Sequence, residues 1–181
     1  EDCGPVQQAL LRKASALLWG RPGVEAFDGS REISELSSPI LELTGAFTVM
    51  VWVCPSQRTK DWARVLGKGS PSERNFGLWL QANTGKVLAQ IYGPTAGGGL
   101  QSDFEAPLNQ WTHLALRFVM NDVHELYING QRVKSEKTTG TPKISEDPLT
   151  LGRAPKMHAG FVGQVRDARV YGFAMQGQDI Q

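Results

Sequence analysis

Short segments in which every second residue is apolar recur along this chain, separated by glycine, proline and polar turns. Strict alternation over four to eight residues buries one face of a strand, so the pattern predicts an all-β, antiparallel sandwich of two sheets. Between two such segments, Asn129-Gly130 predicts a tight hairpin turn. The clearest apolar faces are Phe47, Val49, Val51 and Val53; Phe76, Leu78 and Leu80; Val87, Ala89 and Ile91; and Leu114, Leu116 and Phe118.

The N-terminal segment has a helical spacing instead. Pro5 suits the first position of a helix, and Gly20 suits its end. We therefore predict a short amphipathic helix over residues 5–19, docked on the sandwich, with residues 1–23 as a helical appendage and residues 24–181 as the β domain. A helix that binds a partner or an oligomer is the alternative. Its apolar face would be Val6, Leu10, Ala14, Leu17 and Leu18.

Length and charge narrow the class of protein. At 181 residues the chain is long enough for one domain with a substantial core. Its formal net charge is +1 and it has no long Lys/Arg block, so we expect no nucleic-acid partner and no binding to an anionic membrane surface. No apolar run approaches the roughly 18 residues of a membrane span. The start at Glu1 suggests a mature secreted protein or a domain of a longer one.

The two cysteines, Cys3 and Cys54, lie too far apart in sequence for an ordinary metal motif. We predict a disulfide between them that fixes the N-terminal segment to the sandwich. Such a bridge implies an oxidising compartment, and so an extracellular or secreted protein. Two unrelated thiols are the alternative.

The order of several short motifs resembles that of a known domain. Together they resemble the laminin-G-like, concanavalin A-type lectin/glucanase jelly roll, a group that includes the pentraxins, over about residues 24–175. The resemblance implies two stacked antiparallel sheets and an extracellular recognition module, often for glycans and sometimes for proteins. The predicted N-terminal helix departs from this family, in which a strand is usual. The motifs are Phe27–Gly29, Leu43–Val53, Leu66–Gly69, Asn75–Leu78, Trp111–Ala115, Leu126–Gly130, Pro148–Arg153 and Phe161–Tyr171.

The resemblance also implies a structural Ca²⁺. Asp28, before Gly29, matches the family's aspartate at a point where Ca²⁺ is common, and Asp167 in the last segment is the second candidate ligand. Arg166 stands where the family usually has an acidic residue, so it would repel a cation beside Asp28 or replace it with an ion pair. Alternatively, Asp28 only shapes a turn.

Aromatic and charged residues of opposite parity to the core are the candidate ligand-binding residues. Trp79 and Tyr92 point away from the predicted core, as does Arg117, and sugar rings stack on flat aromatic faces. Trp62, in a predicted loop, is a candidate anchor for a protein partner. The alternative is that these side chains pack beneath loops or against the rim of the sandwich.

No motif for catalysis is present. Glycanases of this fold type carry paired carboxylates on alternate residues, and the nearest run here, Glu32–Glu35, lacks that spacing. The sequence therefore predicts a non-catalytic, extracellular recognition domain, with carbohydrate as the leading ligand. A protein-binding adhesion or receptor module without a sugar site is the alternative, followed by a structural spacer.

Overall fold

In a computed structural model, the structure describes residues 16–35, 43–93 and 98–180 of the chain. Within these residues the regular secondary structure is strand, apart from one short 3-10 helix at Gly177–Asp179. The strands are β1 (Leu17–Asp28), β2 (Ile33–Glu35), β3 (Phe47–Pro55), β4 (Ala63–Gly69), β5 (Arg74–Leu80), β6 (Lys86–Ile91), β7 (Gly98–Glu105), β8 (Thr112–Val119), β9 (Val123–Ile128), β10 (Gln131–Lys137), β11 (Leu149–Leu151) and β12 (Val162–Tyr171).

The strands form two six-stranded sheets, and every pairing within them is antiparallel. Sheet A has the order β1-β12-β3-β8-β9-β10, and sheet B has the order β2-β11-β4-β5-β6-β7. This arrangement confirms the predicted all-β jelly-roll sandwich. The hairpin prediction is also confirmed, because Asn129 (φ 49°) and Gly130 (φ 77°) join β9 to β10 with the two positive φ angles of a tight turn.

The core lies between the two sheets and contains the apolar faces that alternation predicts. Phe47 of sheet A lies at its centre, with ring centroids 5.8 Å from Phe76 of sheet B and 5.3 Å from Phe118 of sheet A. All three side chains are fully buried. Burying side chains of this size contributes about 2–3 kcal/mol each, so these rings are a main reason why the two sheets stay together.

The first strand differs from the prediction. Residues 5–15 of the predicted helix lie outside the described residues, but Leu17–Trp19, assigned to its last turn, belong to β1. Leu17 pairs with Tyr171 and Trp19 with Val170, so this stretch continues sheet A through the predicted boundary at residue 23. The apolar spacing of so short a segment fits both a helix and a strand. The segment becomes a strand because the edge of β12 is free to pair with it.

The C-terminal segment covers part of the outer face of sheet A. The Thr48 hydroxyl donates to the Phe173 carbonyl (2.9 Å) and accepts from the Met175 amide (2.9 Å). Met175 and Ile180 then pack against this face. The second apolar cluster formed in this way contains Met50, Ala115, Tyr127, Tyr171, Met175 and Ile180.

Candidate functional site

The outer face of sheet B carries the candidate site. Trp79 faces outward there because its neighbours Leu78 and Leu80 face the core, as alternation predicts. In the β4–β5 pairing Trp79 lies opposite Arg64, and Gly67 lies opposite Gly77.

The glycine pair gives the two large side chains room to lie along the sheet. A Cβ atom on Gly77 would come within 2.3 Å of Trp79 Nε1, and one on Gly67 would come within 3.0 Å of Arg64 Nε. Real Cβ atoms do not approach other atoms as closely as the first of these distances. A side chain at Gly77 would therefore displace the indole from its position.

Two arginines lie against the Trp79 ring. The Cζ atom of Arg64 is 4.6 Å from the ring centroid, and that of Arg74 is 5.3 Å from it. Guanidinium groups at these distances are attracted by the negative face of the π system. The indole is 3% exposed, so its position is fixed by the neighbours that bury it.

Arg74 is held in place by hydrogen bonds. Its Nε donates to the Pro71 carbonyl (2.7 Å), and its Nη1 donates to Gln90 Oε1 (3.3 Å) and to the Tyr92 hydroxyl. The Tyr92 hydroxyl in turn donates to Gln90 Oε1 (2.7 Å). The polar groups of β5 and β6 are therefore ordered before any ligand arrives.

Arg64 is fully buried and only partly satisfied. Its Nη1 donates to the Gly69 carbonyl, whereas Nε and Nη2 have no hydrogen-bond partner within the described residues. Burial first, and then repulsion from Arg74, lower the pKa of Arg64 to about 9. Burying a cation that has too few hydrogen-bond partners costs folding free energy. Arg64 is therefore an unusual residue to find fully buried on a sheet.

A cavity of about 350 Å³ opens beside these residues. This volume lies at the lower end of the range for small-molecule sites. Its walls come from β5, β6 and the loops before β4, after β4 and after β11. The lining includes Trp62, Pro71, Arg74, Trp79, Leu88, Gln90 and Met157.

The structure brings together three of the four residues predicted to bind ligand. Trp62 and Trp79 line the cavity, and Tyr92 is bonded to its lining residues Arg74 and Gln90. Arg117 is not part of this group, so it does not share a binding surface with Trp79 and Tyr92.

Arg117 lies on β8, in sheet A. There its Nε donates to the Met175 carbonyl (2.7 Å), and its Nη1 forms an ion pair with Glu125 (2.8 Å). Alternation correctly pointed Arg117 away from the core, but parity alone does not say to which sheet a strand belongs. Its contacts hold the covering C-terminal segment against sheet A.

The two predicted calcium ligands are not close together. Asp28 Oδ1 accepts hydrogen bonds from the Ser30 amide (2.9 Å), the Ser30 hydroxyl (2.8 Å) and the Arg31 amide (2.9 Å). These bonds, that of the Arg31 amide first, lower the pKa of Asp28 to about 2. Asp28 lies opposite Val162, so Asp167 is five residues further along β12, or about 16 Å.

Asp28 and Asp167 therefore do not form a shared site, and the described part of the chain contains no group of three His, Cys, Asp or Glu side chains able to hold a metal. Arg166 neither repels a cation beside Asp28 nor pairs with it. Its guanidinium instead lies between Trp52 (4.9 Å) and Trp111 (4.6 Å) on sheet A. Calcium binding stays a prediction of the family resemblance.

Replacing Asp28 with alanine in the absence of calcium tests whether Asp28 stabilises the turn by its hydrogen bonds alone. With EDTA present throughout, we expect Asp28→Ala to have a lower melting temperature than the wild type, because three hydrogen bonds of the turn are lost. Asp28→Asn keeps an acceptor oxygen and is the matched control. Equal melting temperatures of the alanine variant and the wild type in EDTA would contradict this account. A decrease when EDTA is added to the wild type would show calcium.

Two further predictions concern the cysteines and the membrane. Cys54 is half-buried near the end of β3, but Cys3 lies outside the described residues, so the predicted disulfide stays a prediction. Among the residues that the structure describes, no helix is long and apolar enough to cross a membrane.

Comparison with known protein families shows to which family this chain belongs. The family model described as the concanavalin A-like lectin/glucanases superfamily (Laminin_G_3) matches residues 28–181. The chain belongs to this superfamily. A search of curated proteins gives no match.

Solved structures of the same fold type include a pentraxin and proteins in complex with saccharides. The CBM40 module of the Ruminococcus gnavus IT-sialidase, bound to α2,3-sialyllactose, has a TM-score of 0.71 at 16% identity, covering 91% of this chain and 97% of that one. A native heptameric SAP-like pentraxin from Limulus polyphemus has a TM-score of 0.63 at 15% identity, covering 87% and 78%.

Domain 4 of the extracellular arabinanase AbnA from Geobacillus stearothermophilus, in complex with arabinotriose, has a TM-score of 0.59 at 19% identity. The similarity covers 89% of this chain and 85% of that one. At such low identities these similarities show a shared fold alone.

Proposed function

We propose that this chain is a non-catalytic, extracellular carbohydrate-binding domain, and that the cavity on the outer face of sheet B is its sugar site. The observation that carries the proposal is the meeting of Trp62 and Trp79 with the ordered polar groups of Arg74 and Gln90 around one cavity. Flat aromatic rings suit the apolar faces of sugars, and fixed donors and acceptors suit their hydroxyl groups. The carbohydrate-binding modules among the structural neighbours support this reading.

Binding at this site would be reversible and would need little rearrangement of the sheet. The indole of Trp79 is fixed by Arg64 and Arg74, so little conformational entropy is lost when a ring stacks near it. Trp62 lies on a loop and is half-buried, which leaves part of its side chain free to contact a ligand. Arg74 and Gln90 would then select among sugars by the positions of their polar groups.

Replacing Trp62 with alanine tests this assignment. We expect Trp62→Ala to weaken binding of the best ligand from a glycan array about tenfold, because an aromatic anchor at a binding site contributes about 1–2 kcal/mol. The measurement is isothermal titration calorimetry, below the melting temperature of each variant.

Trp52→Ala is the matched control, since Trp52 is also half-buried but lies on sheet A. This variant should bind the sugar as the wild type does. Equal affinities of Trp62→Ala and the wild type would remove the cavity from the proposal. An array on which no saccharide binds saturably would leave the protein-binding alternative.

A further inference from the structure

We infer that the sugar bound in the cavity of sheet B carries a carboxylate group. The inference depends on the proposed function and narrows its ligand to one class, the acidic sugars. Sialic acids and uronic acids share this chemistry, since both present a planar carboxylate beside a sugar ring.

The first argument is an excess of positive charge at the cavity. Arg64 and Arg74 lie against the same indole ring, and no carboxylate of the described residues forms an ion pair with either. Of the nearby acidic residues, Glu73 pairs with Lys143, whereas Asp147 accepts from the Ser70 amide (3.2 Å) and attracts Arg64 without forming an ion pair with it. Among the described residues, neither arginine of the site therefore has a paired carboxylate.

The second argument is the state of Arg64. Two of its three nitrogens are buried with no hydrogen-bond partner among the described residues, and a like charge, Arg74, lies against the same Trp79 ring. An anion in the cavity would offset the repulsion between the two arginines, since attraction to an opposite charge grows as water is excluded. Burial first, and then Arg74, lower the pKa of Arg64, and the attraction of Asp147 offsets this only in part.

The third argument is the geometry of Arg74, which lines the cavity. Its Nε and Nη1 are bonded to the protein, whereas no described residue accepts a hydrogen bond from Nη2. A guanidinium edge that is held in place and still has a free donor suits a carboxylate. With the sugar ring near Trp62 and Trp79, the carboxylate would lie against Arg74, and the positive charge of Arg64 would act from beneath.

The test compares an acidic sugar with its own methyl ester, which has nearly the same shape but no charge. The probes are 3′-sialyllactose, a disaccharide with a terminal glucuronic acid, the methyl ester of each, and lactose. We expect at least one acid to bind about tenfold or more tightly than its ester, which is the effect of one charge-assisted hydrogen bond. This preference should shrink as ionic strength rises from about 0.05 to about 0.5 M. Comparing the affinities of the two acids shows whether the site prefers a sialic acid or a uronic acid.

Substitution of Arg74 locates the effect. Arg74→Gln should remove most of the preference for the acid over its ester while keeping some binding of the ester. Arg169→Gln makes the same change in charge at an exposed position of sheet A and should keep the preference. The comparison of acid and ester uses the wild-type protein, so its result does not depend on whether a variant folds.

The outcomes separate this inference from the function on which it depends. Acid and ester binding equally well, or a neutral or sulfated sugar preferred over both acids, would overturn the inference and leave the carbohydrate-binding function standing. A glycan array with no saturable binding would overturn both. A preference for the acid that survives Arg74→Gln and disappears in Arg169→Gln would move the site to sheet A and overturn the inference.

Discussion

Replacing Phe47 with alanine should lower the free energy of unfolding by about 3–5 kcal/mol, which is the usual cost of deleting a fully buried phenylalanine side chain. Phe47 contacts Phe76 across the sandwich and Phe118 within its own sheet, so the cavity left behind would lie between the two sheets. The surrounding strands cannot close this space without a shift of a whole sheet. Denaturation in urea, with the slope and midpoint fitted together, measures the loss.

Phe104→Ala is the matched control for this prediction. Phe104 lies at the end of β7 and is 37% exposed, so its loss should change the free energy of unfolding by about 0.5 kcal/mol or less. A Phe47→Ala variant no less stable than Phe104→Ala would show that these rings do not hold the sheets together.

Acidification from pH 6.5 to pH 4 should destabilise the fold by roughly 3 kcal/mol for each of two buried histidines. Burial lowers the pKa of both His113 and His124 from 6.5 to about 4. In this window the unfolded chain therefore binds a proton at each position and the folded chain does not, so stability falls as pH falls. Both side chains have an unpartnered ring nitrogen within the described residues, which agrees with their neutral state.

The measurement is the free energy of unfolding at several pH values between 6.5 and 4.5. The lowered pKa of Glu125 places its own contribution below 4.5, the ordinary value for a glutamate, so the histidines dominate this range. His124→Leu should remove about half of the slope, and the same change at the exposed His158 is the matched control. A wild-type stability that does not change over this range would contradict the prediction.

Much of the fold could be predicted from the sequence because alternation records which face of a strand is buried. Phe76, Leu78 and Leu80 face the core as their spacing indicates, and Asn129-Gly130 forms the expected turn. The start of β1 could not be predicted in this way. Whether Leu17 joins a helix or a strand depends on β12, more than 140 residues later in the chain, where Tyr171 offers an edge for pairing.

The site was predicted only in part, for a related reason. The outward direction of Trp79 follows from parity, but the presence of two arginines against its ring does not. Arg64 reaches Trp79 through a pairing register that shifts at a bulge between Arg64 and Leu66, and Arg74 reaches it from the start of β5. Parity likewise gave the direction of Arg117 without saying that β8 lies in the other sheet. Local spacing fixes direction, whereas register and sheet membership depend on distant strands.

The pairing of Leu17 with Tyr171, and the packing of Ile180 on sheet A, have a practical consequence for experiments. A tether or biotin joined after Ile180 would leave from the side of the molecule opposite the cavity. A protein immobilised on a sensor chip through this point would therefore present sheet B to a flowing ligand. A large glycoprotein could then serve as the flowing ligand, because the attachment would not block its access to the cavity.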